Sequence, residues 1–101
     1  MTTPALSERE LSLITGVMRR HPKVGCVKIF GSRAKGTHAN HSDVDLALWG
    51  EVDALQAQAI AAELDELPLP YRFDVQAFSL IQLPALREHI ERVGIQLYPA
   101  K

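Results

Sequence analysis

Apolar residues recur at helical spacing in three stretches of the chain. The first stretch follows Ser7, which with Glu10 three residues later forms a capping-box pattern, so we predict a helix that begins there. Residues 51–67 are rich in good helix formers and predict a second helix. Pro84 opens a third apolar stripe, and Gly94 fits the C′ position that ends such a helix.

Extended segments are predicted between these helices. Residues 24–30 form a short β-branched and apolar run, which is typical of a mostly buried strand. Residues 43–49 and 71–78 alternate between apolar and polar positions, the pattern of half-buried strands. Residues 95–98 could add an edge strand. The order of these elements predicts an α+β fold (an α/β sandwich), in which helices flank a small mixed sheet.

Size and charge limit the classes of function. A chain of 101 residues fits a single domain, which we assign to residues 1–101. The formal net charge of -1 lacks the basic excess of proteins that grip nucleic-acid phosphates, so nucleic acid is disfavoured as a partner. We expect a cytoplasmic protein without membrane contact, because no signal-peptide pattern and no long apolar run occur. Cys26 is the only cysteine, which excludes an internal disulfide, and the histidines show no zinc-like spacing with it.

Three carboxylates are the first candidates for chemistry. Asp43 and Asp45 lie two positions apart on a predicted strand and therefore face the same side. Asp74 is the single acid in the apolar part of the next predicted strand. If these strands are neighbours, the three side chains can meet on one face and bind hard cations such as Mg²⁺. The alternative for each acid is an ordinary solvated strand face.

The second candidate is the turn after the first predicted strand. Gly31 and Ser32 would let backbone N–H groups and a hydroxyl approach phosphate oxygens. Arg33 and Lys35 could neutralise charge nearby. The pattern is not that of a Walker A loop.

Together these motifs resemble the signature of the DNA polymerase β-like nucleotidyltransferase superfamily. The resemblance rests on residues 31–36, Gly-Ser-Arg-Ala-Lys-Gly, on residues 42–46, Ser-Asp-Val-Asp-Leu, and on a later acid in a neighbouring strand. It extends from the first helix through Tyr98. The short length is most similar to the minimal nucleotidyltransferase branch of the superfamily.

The resemblance implies a role for each matching position. Asp43 and Asp45 would bind two divalent metal ions, Mg²⁺ or alternatively Mn²⁺. Asp74 would complete the metal site on the acceptor side and help to deprotonate the attacking hydroxyl. Gly31 and Ser32 would hold the β- and γ-phosphates of the nucleoside triphosphate. Arg33 and Lys35 match basic positions of the motif, without a fixed role.

The resemblance also implies a partner. Members of the minimal branch are often encoded beside a small helical protein of the HEPN type and act as its antitoxin, in some cases by attaching AMP to a tyrosine of the partner. We therefore expect ATP as the donor, a HEPN-type protein as the acceptor and a hetero-oligomer of the two. Two alternatives stay open: transfer to a small molecule, as in aminoglycoside nucleotidyltransferases, and a binding module that neutralises or scaffolds a partner without chemistry.

Overall fold

The computed structural model describes residues 6–31 and 43–99. Within these residues the chain forms three α-helices and four strands. In chain order they are α1 (Glu8–Arg19), β1 (Val24–Phe30), β2 (Val44–Gly50), α2 (Ala54–Asp65), β3 (Phe73–Ala77), α3 (Pro84–Val93) and β4 (Ile95–Tyr98). A single turn of 3-10 helix, Phe78–Leu80, follows β3. The prediction of an α+β fold is confirmed.

The four strands form one mixed sheet in the order β3-β2-β1-β4. Strand β1 is antiparallel to both β2 and β4. Strand β3 is parallel to β2, to which α2 connects it. The ends of β2 and β3 that come first in the chain therefore lie side by side, next to the last residues of β1.

The main core lies between the sheet and the pair α1 and α2. Its fully buried members include Ile14 and Met18 of α1, Ile60 of α2, and Ile29 and Leu46 of the sheet. These residues occupy the apolar positions of each element's period, which is why one face of every strand is buried. The sheet thus presents its other face to α3 and to solvent.

A second, smaller core covers part of that other face. It consists of Phe30, Ala47, Phe78, Ile81 and Ile90, which α3 and the 3-10 turn bring together. The cover does not extend over the start of β3, where Asp74 remains exposed.

Helix ends follow the capping chemistry of the sequence. The Glu10 N–H donates to the Ser7 hydroxyl (3.2 Å) and the Ser7 N–H donates to the Glu10 carboxylate (2.9 Å), which confirms the capping box. Helix α2 begins at Ala54, later than residue 51, because Asp53 caps it through a 2.8 Å bond from the Gln56 N–H.

Strand β3 and the end of α3 also differ from the sequence prediction. Strand β3 begins at Phe73, two residues after the predicted start. Strand β3 ends at Ala77 because Phe78 turns into the 3-10 helix and enters the second core. Gly94 is an extended C-cap residue (φ -64°), not a left-handed C′ residue, since the chain passes directly into β4. A Cβ atom there would collide with the Ile90 carbonyl oxygen, so glycine is needed for space. No helix in the described part of the chain is long and apolar enough to cross a membrane.

Candidate active site

Asp45 and Asp74 lie opposite each other on the two parallel strands. Their Cα atoms are register partners in the β2–β3 pairing. The pairing begins where the Val44 N–H donates to the Arg72 carbonyl at 2.8 Å. Neighbouring strands are about 4.8 Å apart, and paired residues project from the same face. The two acids therefore share the face that α3 only partly covers.

Asp43 directly precedes β2 and is exposed. Both its charge and that of Asp74 act on Asp45. Burial raises the pKa of the Asp45 carboxyl above its ordinary value, and the negative charges of Asp74 and then Asp43 raise it further. Asp45 and Asp74 are thus register neighbours, and the negative charge of Asp43 also acts on the half-buried Asp45.

A divalent cation fits the chemistry of this group. Carboxylate oxygens are the ligands that Mg²⁺ prefers, and a cation would remove the mutual repulsion that raises the pKa of Asp45. As the side chains stand, no three His, Cys, Asp or Glu residues among those described converge into a ready-made metal-binding group. The acids supply the right donor type on one face, and binding would require their side chains to turn toward a shared ion.

Gly31 borders the site on the side of β1. It has a left-handed backbone (φ 78°), which glycine adopts without strain. A Cβ atom built at Gly31 would collide with the Oδ2 atom of Asp45. The backbone that follows β1 therefore passes directly against the carboxylate, a close approach that a side chain would block. Ser32, Arg33 and Lys35 lie outside the described residues.

Two residues beside the site were not singled out in the sequence. Phe30 is the register partner of Asp45 on β1 and is buried, with 6% of its surface exposed. His89 of α3 meets the Phe30 ring edge-on, with ring centroids 6.5 Å apart. The position of Phe30 just before Gly31 was the only sequence feature that could have drawn attention to it. The contact with His89 depends on how α3 crosses the sheet, which no local pattern encodes.

The opposite end of the same face is aromatic and basic. Trp49 stacks on Phe78 with centroids 4.4 Å apart. Arg87 lies over the outer side of the Phe78 ring (4.2 Å) and donates to the carbonyl oxygens of Phe78 and Ile81, each at 3.0 Å. These contacts fasten α3 to the 3-10 turn and contain none of the three acids.

Two surface cavities in the described residues lie away from the carboxylates. One, of about 240 Å³, lies between α2 and β3, and the other, of about 270 Å³, lies between α1 and β4. Neither is lined by Asp43, Asp45 or Asp74. We place the candidate site at the acids because charge and register converge there, whereas the cavities offer no comparable chemistry.

The family model described as "Polymerase beta, Nucleotidyltransferase" matches residues 13–101. The chain belongs to this nucleotidyltransferase family. The resemblance noted on the motifs is thereby confirmed, and the enzymatic class is nucleotidyl transfer. The match includes Gly31 and all three acids. A comparison with curated proteins finds no match to the chain.

Solved structures agree with the family assignment. A crystal structure of a toxin–antitoxin with AMP-PNP matches with a TM-score of 0.76 and 23% identity, over 90% of this chain and 74% of that one. A complex of tri-AMPylated Shewanella oneidensis HEPN toxin with MNT antitoxin gives 0.72 and 19%, over 94% and 74%. A putative nucleotidyltransferase from Sulfolobus solfataricus gives 0.51 and 20%, over 87% and 78%. At these identities the matches establish the fold.

Proposed function

We propose that this nucleotidyltransferase moves AMP from ATP to a tyrosine hydroxyl of a HEPN-type partner protein, and that it acts as the antitoxin of that partner. The observation that carries the proposal is the pairing of Asp45 with Asp74 on adjacent strands, with Gly31 against the Asp45 carboxylate. Further support comes from similar folds in a toxin–antitoxin with AMP-PNP and in a complex of an AMPylated HEPN toxin with its MNT antitoxin.

Each acid has a distinct part in the proposed reaction. Asp43 and Asp45 would hold two Mg²⁺ or Mn²⁺ ions, and Asp74 would complete the site nearest the acceptor. Bound metal would lower the pKa of the acceptor hydroxyl and stabilise charge on the triphosphate. Asp74 is exposed on its strand, so it is accessible to an incoming hydroxyl and can take up its proton.

The proposed reaction is a nucleotidyl transfer from ATP to the acceptor hydroxyl. The acceptor oxygen attacks the α-phosphorus of ATP, a new O–P bond forms, and the bond to the α–β bridging oxygen breaks. Pyrophosphate leaves and the hydroxyl proton passes to a carboxylate. Gly31, with Ser32, would hold the β- and γ-phosphates through backbone N–H groups and the hydroxyl. Positioning and charge stabilisation would supply most of the rate.

The small size of the described fold supports a protein acceptor. The described fold is a small sheet with three helices, and it contains no separate lobe for gripping a large acceptor. An acceptor that docks by its own folded surface would supply much of the positioning itself, so we expect a hetero-oligomer with the partner.

Labelled ATP tests the proposal. The purified chain, Mg²⁺ and ATP labelled at the α-phosphate are incubated with lysate of the source cells, beside Asp45→Asn and the matched control Asp65→Asn. Asp65 is an exposed acid at the end of α2, outside the site. We expect a protease-sensitive labelled band with the wild type and Asp65→Asn, and none with Asp45→Asn.

Other outcomes would redirect the proposal. A ribonuclease-sensitive signal would make the acceptor RNA, and a labelled small molecule would favour the aminoglycoside-type alternative. Absence of label with every metal and nucleotide would contradict the transfer and leave a binding antitoxin.

A further inference from the structure

Asp45 has an acid on one side and an aromatic ring on the other. Asp74 is its partner across β3, and Phe30 is its partner across β1. Phe30 belongs to the second core together with Ala47, which lies two residues after Asp45 and so on the same face of β2. Paired Cβ atoms on antiparallel strands are about 4.5–5.5 Å apart. The ring therefore borders the carboxylate.

Helix α3 holds that ring in place. His89 meets the Phe30 ring edge-on, with an interplanar angle of 81°. Its neighbour Ile90 is fully buried in the same small core. Edge-to-face contacts between rings favour a defined relative orientation. Phe30 therefore packs against α3 at two successive residues of that helix.

This arrangement matters because Asp45 and Asp74 repel each other. An ionised Asp45 would lower its energy by turning away from Asp74, toward β1. The Oδ2 atom of Asp45 already lies on that side, where a Cβ atom at Gly31 would collide with it, and the cross-strand neighbour Phe30 limits how much farther the carboxylate can turn. The Asp45 carboxylate is thus kept near Asp74 despite their repulsion, so that binding of a shared cation requires only a rotation of the side chains.

We propose that Phe30, held by His89, is a positioning residue that keeps the Asp45 carboxylate oriented for metal binding. The inference rests on the proposed function in one respect, that Asp45 is a metal ligand. Phe30 touches neither metal nor nucleotide in this role; it acts through Asp45. The role gives a reason for an aromatic residue at the last position of β1, directly before the glycine.

The chain offers a matched control for a merely structural role. Phe78 is equally buried (6% exposed) and belongs to the same small core as Phe30. It stacks on Trp49, four residues along β2 from Asp45, or about 13 Å at the rise of a strand. A truncation of either ring removes similar packing, but only one ring borders the carboxylate.

Calorimetry with Mn²⁺ alone separates the two roles. Phe30→Leu and Phe78→Leu should lower Tm by similar amounts. We expect Phe30→Leu to weaken Mn²⁺ binding about tenfold, near the lower end for residues that orient metal ligands, and Phe78→Leu to change it less than about twofold. Equal affinities of the two folded variants would overturn the proposal.

If Phe30→Leu does not fold, two variants of His89 test the same proposal. His89 is only partly buried, so His89→Ala should fold and weaken Mn²⁺ binding about threefold, while His89→Phe should restore it by keeping an edge contact. Unchanged affinity in His89→Ala would count against the proposal. If Asp45→Asn binds Mn²⁺ as tightly as the wild type, Asp45 is not a metal ligand and the proposed function loses its site. Equal Mn²⁺ affinities of Phe30→Leu and Phe78→Leu would instead overturn only the role of Phe30.

Discussion

Gly31 lies directly against the carboxylate of Asp45, at the point where β1 ends beside the start of β2. Its positive φ of 78° and the lack of room for a Cβ atom are two separate requirements for glycine. The same residue would present its backbone to phosphate groups in the proposed reaction. Gly31 thus ends β1 and lies against Asp45, and in the proposed reaction it would also contact the nucleotide.

Replacement of this glycine should damage the site more than the fold. We expect Gly31→Ala to destabilise the protein by about 1–2 kcal/mol, the usual cost of a strained backbone position, and to lower the nucleotidylation rate at least 100-fold. Gly16→Ala is the control: Gly16 lies inside α1 with nothing within 4 Å of a new Cβ atom, so alanine should stabilise the helix by about 0.5–1 kcal/mol. Urea unfolding and labelled-ATP transfer measure both effects. Full activity of Gly31→Ala would contradict the close approach.

Asp45→Asn should abolish transfer and at the same time stabilise the metal-free protein at neutral pH. Burial and the charges of Asp74 and Asp43 raise the pKa of Asp45 in the folded state. The folded state then binds more protons than the unfolded state, so the free energy of unfolding falls as pH rises through the interval from the ordinary pKa of 3.8 upward. Asparagine removes this penalty.

The pH profile gives the sign of that effect. In EDTA at pH 7.5 we expect the Tm of Asp45→Asn to exceed that of the wild type by a few degrees at most, because Asp45 is only half-buried and solvent screens much of the repulsion. The difference should shrink at about pH 3, where the wild-type carboxyl is protonated. A variant less stable than the wild type at neutral pH would show that Asp45 is not under repulsion.

Divalent metal should stabilise the wild type through the same acids. At a free Mg²⁺ concentration of ten times its Kd, linkage predicts a gain of about 1.4 kcal/mol, reversed by EDTA. Asp74→Asn should lose most of this gain, and Asp65→Asn at the end of α2 should keep it. Thermal unfolding at increasing Mg²⁺ tests the prediction, and equal gains in the two variants would remove Asp74 from the metal site.

Sequence patterns predicted the elements well because each element buries one regular face. The apolar periods of α1, β1 and α3 end within a residue of the observed bounds, and the alternation around Asp43 and Asp45 places β2. The meeting of Asp45 with Asp74 was conditional on neighbouring strands, and the parallel register confirms that condition.

Relationships between elements were beyond the local pattern. Periodicity assigns a buried face to each strand but not a neighbour, so the sheet order and the parallel pairing of β3 required the tertiary structure. The same holds for Gly31 against Asp45 and for His89 against Phe30, which depend on the crossing of chain segments that are far apart in sequence. Phe78 falls at a polar position of the β3 alternation, and in the structure it begins the 3-10 helix and stacks on Trp49.

An ion-pair cluster away from the site should add to the free energy of unfolding at neutral pH and lose this contribution at acid pH. Glu63 of α2 accepts hydrogen bonds from Arg20 Nε at 3.1 Å and pairs with His21 Nε2 at 2.5 Å, joining α2 to the end of α1. Burial acts to raise the pKa of Glu63, but the hydrogen bonds and charges of His21 and Arg20 outweigh it, so the pKa is lowered. A lowered folded pKa means that stability is present above the ordinary pKa of glutamate and is lost as pH falls through the folded value.

Glu63→Gln should therefore destabilise the protein at pH 7 by about 0.5–1 kcal/mol, a modest effect because Glu63 is partly exposed and screened by solvent. The gap to the wild type should narrow as pH falls from the ordinary pKa of 4.5 through the lowered pKa of the folded state. Glu88→Gln is the control, since Glu88 pairs with Arg92 at 3.5 Å on the exposed surface of α3 and should contribute less than about 0.5 kcal/mol. Urea unfolding of the three proteins at pH 7 and pH 3.5 provides the measurement. A gap for Glu63→Gln that is as large at pH 3.5 as at pH 7 would show that packing, rather than the charge of the carboxylate, holds α2 against α1.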